Sequence, residues 1–115
     1  MATYAIGDVQ GCFDGLMQLL DLINFNPSKD ELIFLGDVVN RGDKSLETLN
    51  FIKNIDATVL LGNHDYHLLA CYFGITTPNK KDTFEDVLSA KNVKELIDFL
   101  LSRNIIYTQD NAIFV

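Results

Sequence analysis

Leu32-Ile33-Phe34-Leu35-Gly36-Asp37-Val38-Val39-Asn40-Arg41-Gly42 is the stretch whose reading decides the fold of this chain. Four apolar residues in a row read as a strand buried on both faces. The run stops at Gly36-Asp37, which puts a carboxylate where the strand leaves its sheet. Arg41 follows four residues later and Gly42 turns the chain. An oxygen ligand and a fixed cation leaving one strand end suit the joint binding of a metal ion and a phosphate.

The same punctuation occurs twice more. Thr3-Tyr4-Ala5-Ile6-Gly7-Asp8 is an apolar-rich run closed by Gly-Asp, and Thr58-Val59-Leu60-Leu61-Gly62-Asn63-His64-Asp65 is closed by Gly-Asn-His-Asp. Three strands therefore each deliver an oxygen donor directly after a glycine: Asp8, Asp37 and Asn63. Parallel strands of an open α/β sheet bind ligands at their carboxyl ends. A parallel arrangement brings the three donors into one cleft.

Composition narrows the partners. With 115 residues, nearly half of them apolar, the chain is one modest globular domain. Its net charge of −7 argues against nonspecific nucleic-acid or anionic-membrane binding, which needs a basic stripe. An anionic phosphate substrate would then need Arg41 and bound metal for local positive charge. Cys12 and Cys71 show no metal-type spacing and read as free thiols of a reducing cytoplasm. The Met1-Ala2-Thr3-Tyr4 start shows no signal-peptide pattern, and no apolar run is long enough to span a bilayer.

The remaining elements follow from periodicity. Leu16, Leu19, Leu20 and Ile23 fall on one face of a helix that ends in the turn cluster 24–30. Strand two is expected over 31–35. Leu46, Leu49, Ile52 and Ile55, with Phe51 fitting less well, mark a second helix, and a third strand is expected at 57–61. This β-α-β-α-β order predicts right-handed crossovers and a parallel sheet. Leu68, Leu69, Tyr72 and Phe73 predict a helix after Asn63 that stops at Gly74. Residues 76–81 read as a loop. Residues 82–103 read as one or two helices with apolar faces (Phe84, Val87, Leu88, then Val93, Leu96, Ile97, Leu100, Leu101), packed on the sheet and carrying no chemistry. At the end, Ile105-Ile106-Tyr107 reads as a strand, 108–111 as a hairpin-like turn and Ala112-Ile113-Phe114-Val115 as a further strand. Such a strand presents an open edge, which predicts truncation of a larger fold and self-association through that edge.

The strand ends carry the chemistry. Asp8 and Asp37 offer hard carboxylate oxygens, and Asn63 offers an amide oxygen. His64 is placed to protonate a leaving oxygen, with Asp65 as the group that would hold its tautomer. Arg41 can grip a phosphate bidentately. Each feature also has an ordinary explanation. Gly-Asp is common turn chemistry, Asn63 or Asp65 can be a helix N-cap, and Arg41 can be a surface residue. Their order on three successive strands favours the functional explanation. His67, one helical turn after His64, is read as a surface residue and not a ligand.

Gly7-Asp8-Val9-Gln10-Gly11, Gly36-Asp37-Val38-Val39-Asn40-Arg41-Gly42 and Gly62-Asn63-His64-Asp65 together resemble the signature blocks of the calcineurin-like metallophosphoesterases. Within that superfamily, the opening residues 2–8, Gly11-Cys12 and Asp65 resemble the bacterial symmetrical diadenosine tetraphosphatase branch. Protein serine/threonine phosphatases, the alternative branch, usually carry Glu in place of Asp65 and Asp in place of Asn40. The resemblance implies a two-sheet β-sandwich flanked by helices, of which residues 1–115 are an N-terminal β-α-β-α-β portion plus a helical segment at about 82–103. It implies hydrolysis of the dinucleoside polyphosphate Ap4A to two ADP at two divalent ions, Mn²⁺ or Co²⁺ foremost, with Mg²⁺, Fe or Zn as alternatives. Asp37 would bridge the ions, with Asp8 and Gln10 on one and Asn63 on the other. His64 would be the general acid, and Arg41 with Asn40 would contact substrate.

Gln10 departs from the histidine usual in the first block, which predicts weaker metal binding there. Family members are more than twice this length and supply further metal histidines from the other half. A chain of 115 residues is therefore expected to be impaired, or to serve as a non-catalytic fragment that assembles through its strand edge.

Overall fold

The computed structural model describes residues 2–103, 107–109 and 111–115. Three strands, β1 (Thr3–Ile6), β2 (Glu31–Phe34) and β3 (Thr58–Val59), form a parallel sheet in the order β1-β2-β3. Thr3 pairs with Glu31 and Ile6 with Phe34, while Ile33 and Phe34 pair with Thr58 and Val59. The ladder reaches one residue further at each junction, through Leu35 N–H to Ile6 O and Leu60 N–H to Phe34 O. Leu32, Ile33 and Phe34 are all buried, as an uninterrupted apolar run in a central strand requires. β1 instead alternates exposed and half-buried positions, as the outer strand of this sheet.

The helices follow the periodicity closely. α1 (Phe13–Leu22) buries Leu16 and Leu20 but leaves Leu19 exposed. α2 (Ser45–Asn54) buries Leu49 and Ile52, and also Ser45 and Thr48, which the apolar pattern does not mark. α3 (Asn63–Tyr72) ends before Gly74, whose φ of +75° marks the left-handed turn that closes many helices. The segment 82–103 is two helices, α4 (Glu85–Leu88) and α5 (Val93–Leu101), both packed on α2. Phe84, Val87, Leu96, Ile97 and Leu100 enter the core; Leu101 stays exposed.

Of the two-sheet sandwich that the resemblance implies, the described residues supply the parallel sheet and a separate antiparallel hairpin. The hairpin joins β4 (Tyr107–Gln109) to β5 (Ala112–Phe114), with Gln109 opposite Ala112. Thr108 and Gln109 thus belong to a strand and not to the expected turn. Ile105 and Ile106 lie outside the described residues. Among the described residues, no helix is long and apolar enough to cross a membrane.

Candidate metal and phosphate site

The strand-end loops are hydrogen-bonded directly to one another. Gln10 N–H donates to Asp37 O at 2.9 Å and Gly11 N–H to Val38 O at 2.9 Å; Gly42 N–H returns to Gln10 O at 2.7 Å and Lys44 N–H to Gly11 O at 3.0 Å. The first and second blocks are therefore zipped side by side. The third is locked to the second by side chains. Asp37 Oδ1 accepts the His64 N–H at 2.8 Å and so caps the N-terminus of α3, where Gly62 has no side chain to do so. That approach needs glycine at 62. A Cβ there would lie 2.5 Å from Asp37 Oδ1.

Asp65 is the keystone of this joint. Its carboxylate is fully buried (0 % exposed). Oδ2 accepts N–H groups from Asp37 at 2.7 Å and Gly62 at 2.9 Å, and Oδ1 accepts that of Val38 at 3.1 Å. The Gly62 contact is the reach-back of a helical third residue to its own cap. Burial pushes the Asp65 carboxyl up to about 6, against the downward pull of the three amides, and the nearby Asp37 charge raises it further. The expectation that Asp65 orients the His64 ring is corrected here. All three of its hydrogen bonds go to backbone, and it positions the loops instead.

Asn40 takes the place beside His64. It is 2 % exposed. Its Oδ1 accepts the N–H groups of Arg41 and Thr83, each at 2.9 Å, which fixes the amide orientation. Nδ2 then donates to His64 Nδ1 at 3.1 Å and to Asp82 Oδ1 at 3.0 Å. With Nδ1 accepting, a neutral His64 carries its proton on Nε2. Asp82 in turn contacts His67 Nε2 at 2.7 Å and accepts the Asn79 N–H at 2.6 Å. Burial raises the Asp82 carboxyl, but the Asn79 amide, Asn40 and His67 outweigh it and hold the group below its ordinary value.

His67 is thus a half-buried member of this network and not a free surface residue. The pattern of 82–103 also hid two site residues, Asp82 and Thr83, inside what reads as packing. Their signal, polar Asp-Thr directly before the apolar Phe84, is too short to separate from a helix start.

Arg41, Asn63, His64, His67, Asn79, Lys80, Lys81 and Asp82 line a single open pocket of about 540 Å³. Asp37 adjoins it through His64. Asp8 lies at the end of the neighbouring strand and lines a separate cavity of about 230 Å³ with Cys12 and Leu16. Five residues of these loops have left-handed backbone: Asp8, Gln10, Asp37, Asn40 and Arg41. Such positions in non-glycine residues gather where surrounding structure holds them against their preference.

The donor set fits a hard cation. Among the described residues, the side chains of Asp8, Gln10 and Asn63 make no hydrogen bond or ion pair, and Asp37 uses only one oxygen. Asn40, Asp65 and Asp82 are by contrast fully engaged. The uncommitted donors are two carboxylates and two amides, all oxygen, as Mg²⁺- and Mn²⁺-type ions prefer. No cluster of three or more His, Cys, Asp or Glu side chains forms among the described residues, and Asp8 and Asn63 line different cavities.

A parallel α/β sheet thus carries oxygen donors at its strand ends, beside a pocket that Arg41, Lys80 and Lys81 help to line. The sequence profile described as calcineurin-like phosphoesterase matches residues 1–112, and the chain belongs to that family. Its members use divalent metal ions. The symmetrical bis(5'-nucleosyl)-tetraphosphatase of Methylococcus capsulatus is 50% identical over 117 residues, covering 100% of this chain and 42% of the relative. That of Photobacterium profundum is 54% identical over 102 residues, covering 87% and 37%. A crystal structure provisionally described as a diadenosine tetraphosphatase superposes with a TM-score of 0.75 at 27% identity, over 90% of this chain and 43% of that one. A metallophosphoesterase from Sphaerobacter thermophilus, at 20% identity and a TM-score of 0.67, shares the fold. The chain thus spans less than half the length of these relatives.

Proposed function

We propose that this chain is the part of a metal-dependent hydrolase that carries its general acid and phosphate-binding arginine, and that the substrate is a dinucleoside tetraphosphate cleaved symmetrically to two nucleoside diphosphates. The observation that carries this reading is the shared pocket of Arg41, Asn63 and His64, with His64 Nδ1 held by Asn40. Asp8, Gln10, Asp37 and Asn63 would hold the ions. Bound divalent ions supply a water that ionises near neutral pH and positive charge for the phosphate oxygens.

The chain's own residues do the rest. Arg41 pairs with oxygens of the attacked phosphate. The P–O bond to the leaving diphosphate breaks as the water oxygen bonds to phosphorus. His64 gives its Nε2 proton to the departing oxygen, and Asn40 keeps Nδ1 an acceptor so that this proton stays on Nε2. Asp65 holds the Asp37 and Gly62 loops in register.

The test is diadenosine tetraphosphate turnover with Mn²⁺, Co²⁺ or Mg²⁺, run on this chain and on a chain of the relatives' length. Metal-dependent formation of ADP as sole product is expected in the longer chain. His64→Ala should lower kcat by about 10²–10⁴-fold. AMP and ATP as products, or a rate indifferent to His64, would refute the reading.

A further inference from the structure

We propose that Lys80 and Lys81 form a subsite for the phosphate groups beyond the scissile bond, so that the pocket selects a run of anhydride-linked phosphates over a single phosphate. The inference rests on the hydrolase reading and adds the feature that the substrate class requires. The chain has nine Lys and Arg residues and a net charge of −7. Lys44, Lys53, Lys94 and Arg103 are each paired with a carboxylate. Arg41, Lys80 and Lys81 line the same pocket, and among the described residues none of them makes an ion pair. An acidic chain has therefore left three cations uncommitted in one place.

The loop that carries the two lysines is fixed to the chemistry. Asp82, the next residue, is tied to His67, Asn79 and Asn40. Thr83 donates its N–H to Asn40 Oδ1 and its hydroxyl to Gly42 O at 2.7 Å. Asn40 is also the residue that holds His64. The backbone on either side of the two lysines is thus anchored to the residue that holds the general acid. The one carboxylate among them, Asp82, has both oxygens occupied, Oδ1 by Asn40 Nδ2 and Oδ2 by His67 Nε2 and the Asn79 N–H. A volume of about 540 Å³ is in the range of pockets that enclose a whole small-molecule ligand, and it leaves room past the phosphate that Arg41 would bind. Lysine suits this task. Its ammonium is a point charge on a flexible stem and can follow a phosphate chain without demanding one geometry.

The test is a binding measurement in metal-free buffer by titration calorimetry, with tripolyphosphate and orthophosphate as probes. Wild type should bind tripolyphosphate at least about tenfold more tightly than orthophosphate, the scale of one charge-assisted hydrogen bond. Lys80→Ala/Lys81→Ala should remove most of that preference, and Lys80→Arg/Lys81→Arg should keep it. Lys29→Ala/Lys91→Ala, which removes the same charge elsewhere, should also keep it. The proposal is overturned if wild type shows no preference, if the pocket pair leaves it intact, or if the control pair removes it equally.

A third arm uses diadenosine tetraphosphate. An equal loss there assigns the subsite to the dinucleotide's phosphates, whereas a loss confined to tripolyphosphate assigns it to free polyphosphate. No turnover is measured, so absence of ADP formation would defeat the hydrolase reading without touching this result.

Discussion

Asn40→Ala is the perturbation that most directly tests the architecture. Asn40 is buried and all its amide groups are used: Oδ1 by Arg41 and Thr83, Nδ2 by His64 and Asp82. Alanine leaves two backbone N–H groups, one carboxylate oxygen and His64 Nδ1 short of a partner. Those groups are partly reachable by water, so each loss costs about 1 kcal/mol, roughly 4 in all. The backbone adds to this. Asn40 sits at φ +77°, a region asparagine tolerates and alanine does not, at about 1 kcal/mol more. A total of about 5 kcal/mol corresponds to a Tm lower by roughly 20 °C for a chain of this size. Asn40→Gly loses the same hydrogen bonds but accepts the left-handed backbone. Its greater unfolded-state entropy takes back part of that advantage, which leaves glycine ahead of alanine by roughly 0.5–1 kcal/mol, about 2–4 °C. Thermal and urea unfolding followed by circular dichroism measures both. Alanine equal to or better than glycine would deny the left-handed backbone. A loss below about 1 kcal/mol in either variant would deny the network.

Two further predictions address the joint between the second and third blocks. Gly62→Ala drives a methyl to 2.5 Å from Asp37 Oδ1 and must displace that carboxylate. It should cost about 1–3 kcal/mol and weaken Mn²⁺ binding measured by electron paramagnetic resonance, and unchanged Mn²⁺ affinity would remove Asp37 from the ligand set. Asp65, raised to about 6 from an ordinary 3.8, keeps its proton in the folded chain over a range where the unfolded chain has lost it. Its stabilising contribution is therefore full below about pH 4 and is lost as pH rises through 6, by roughly 3 kcal/mol. Asp65→Asn should flatten that slope in urea unfolding of the metal-free protein, and an unaltered slope would refute the buried-carboxylate account.

The sheet was legible in the sequence because each strand run ends at a Gly-Asp or Gly-Asn step, and because β2 is too continuously apolar to be anything but central. The ends of α1, α2 and α3 fall within a residue or two of the periodicity, whereas the segment 82–103 becomes helical only at Glu85 and is interrupted between Leu88 and Val93. The site was legible only in part. Arg41, Asn63 and His64 do meet in one pocket, and Asp8 and Asp37 do leave adjacent strand ends. What could not be read were contacts between residues 27 to 43 positions apart: Asp65 to the Asp37 loop, and Asn40 to Asp82 and Thr83. A polar side chain shows no period, and its partner is set by how the loops lie, not by its neighbours. His67 was misplaced for the same reason, because its role depends on Asp82, fifteen residues away.

The backbone of these loops explains why so many long-range contacts converge there. Asp and Asn tolerate a left-handed conformation, but Gln10 at φ +52° and Arg41 at φ +70° have no such preference. Each such residue costs on the order of 1 kcal/mol or more relative to a relaxed loop. The conformation persists because it is over-determined. Gln10 is held through its N–H by Asp37 O and through its carbonyl by Gly42, and Arg41 is bracketed by Asn40 Oδ1 on its own N–H. A fully buried carboxylate with a raised pKa, Asp65, is a further cost borne at the same joint. A chain shaped for stability alone would relax these loops and put an apolar residue at 65. Strain and buried charge concentrated in the three segments that present Asp8, Asp37, Asn63, His64 and Arg41 are explained if the position of those five side chains is what the fold maintains.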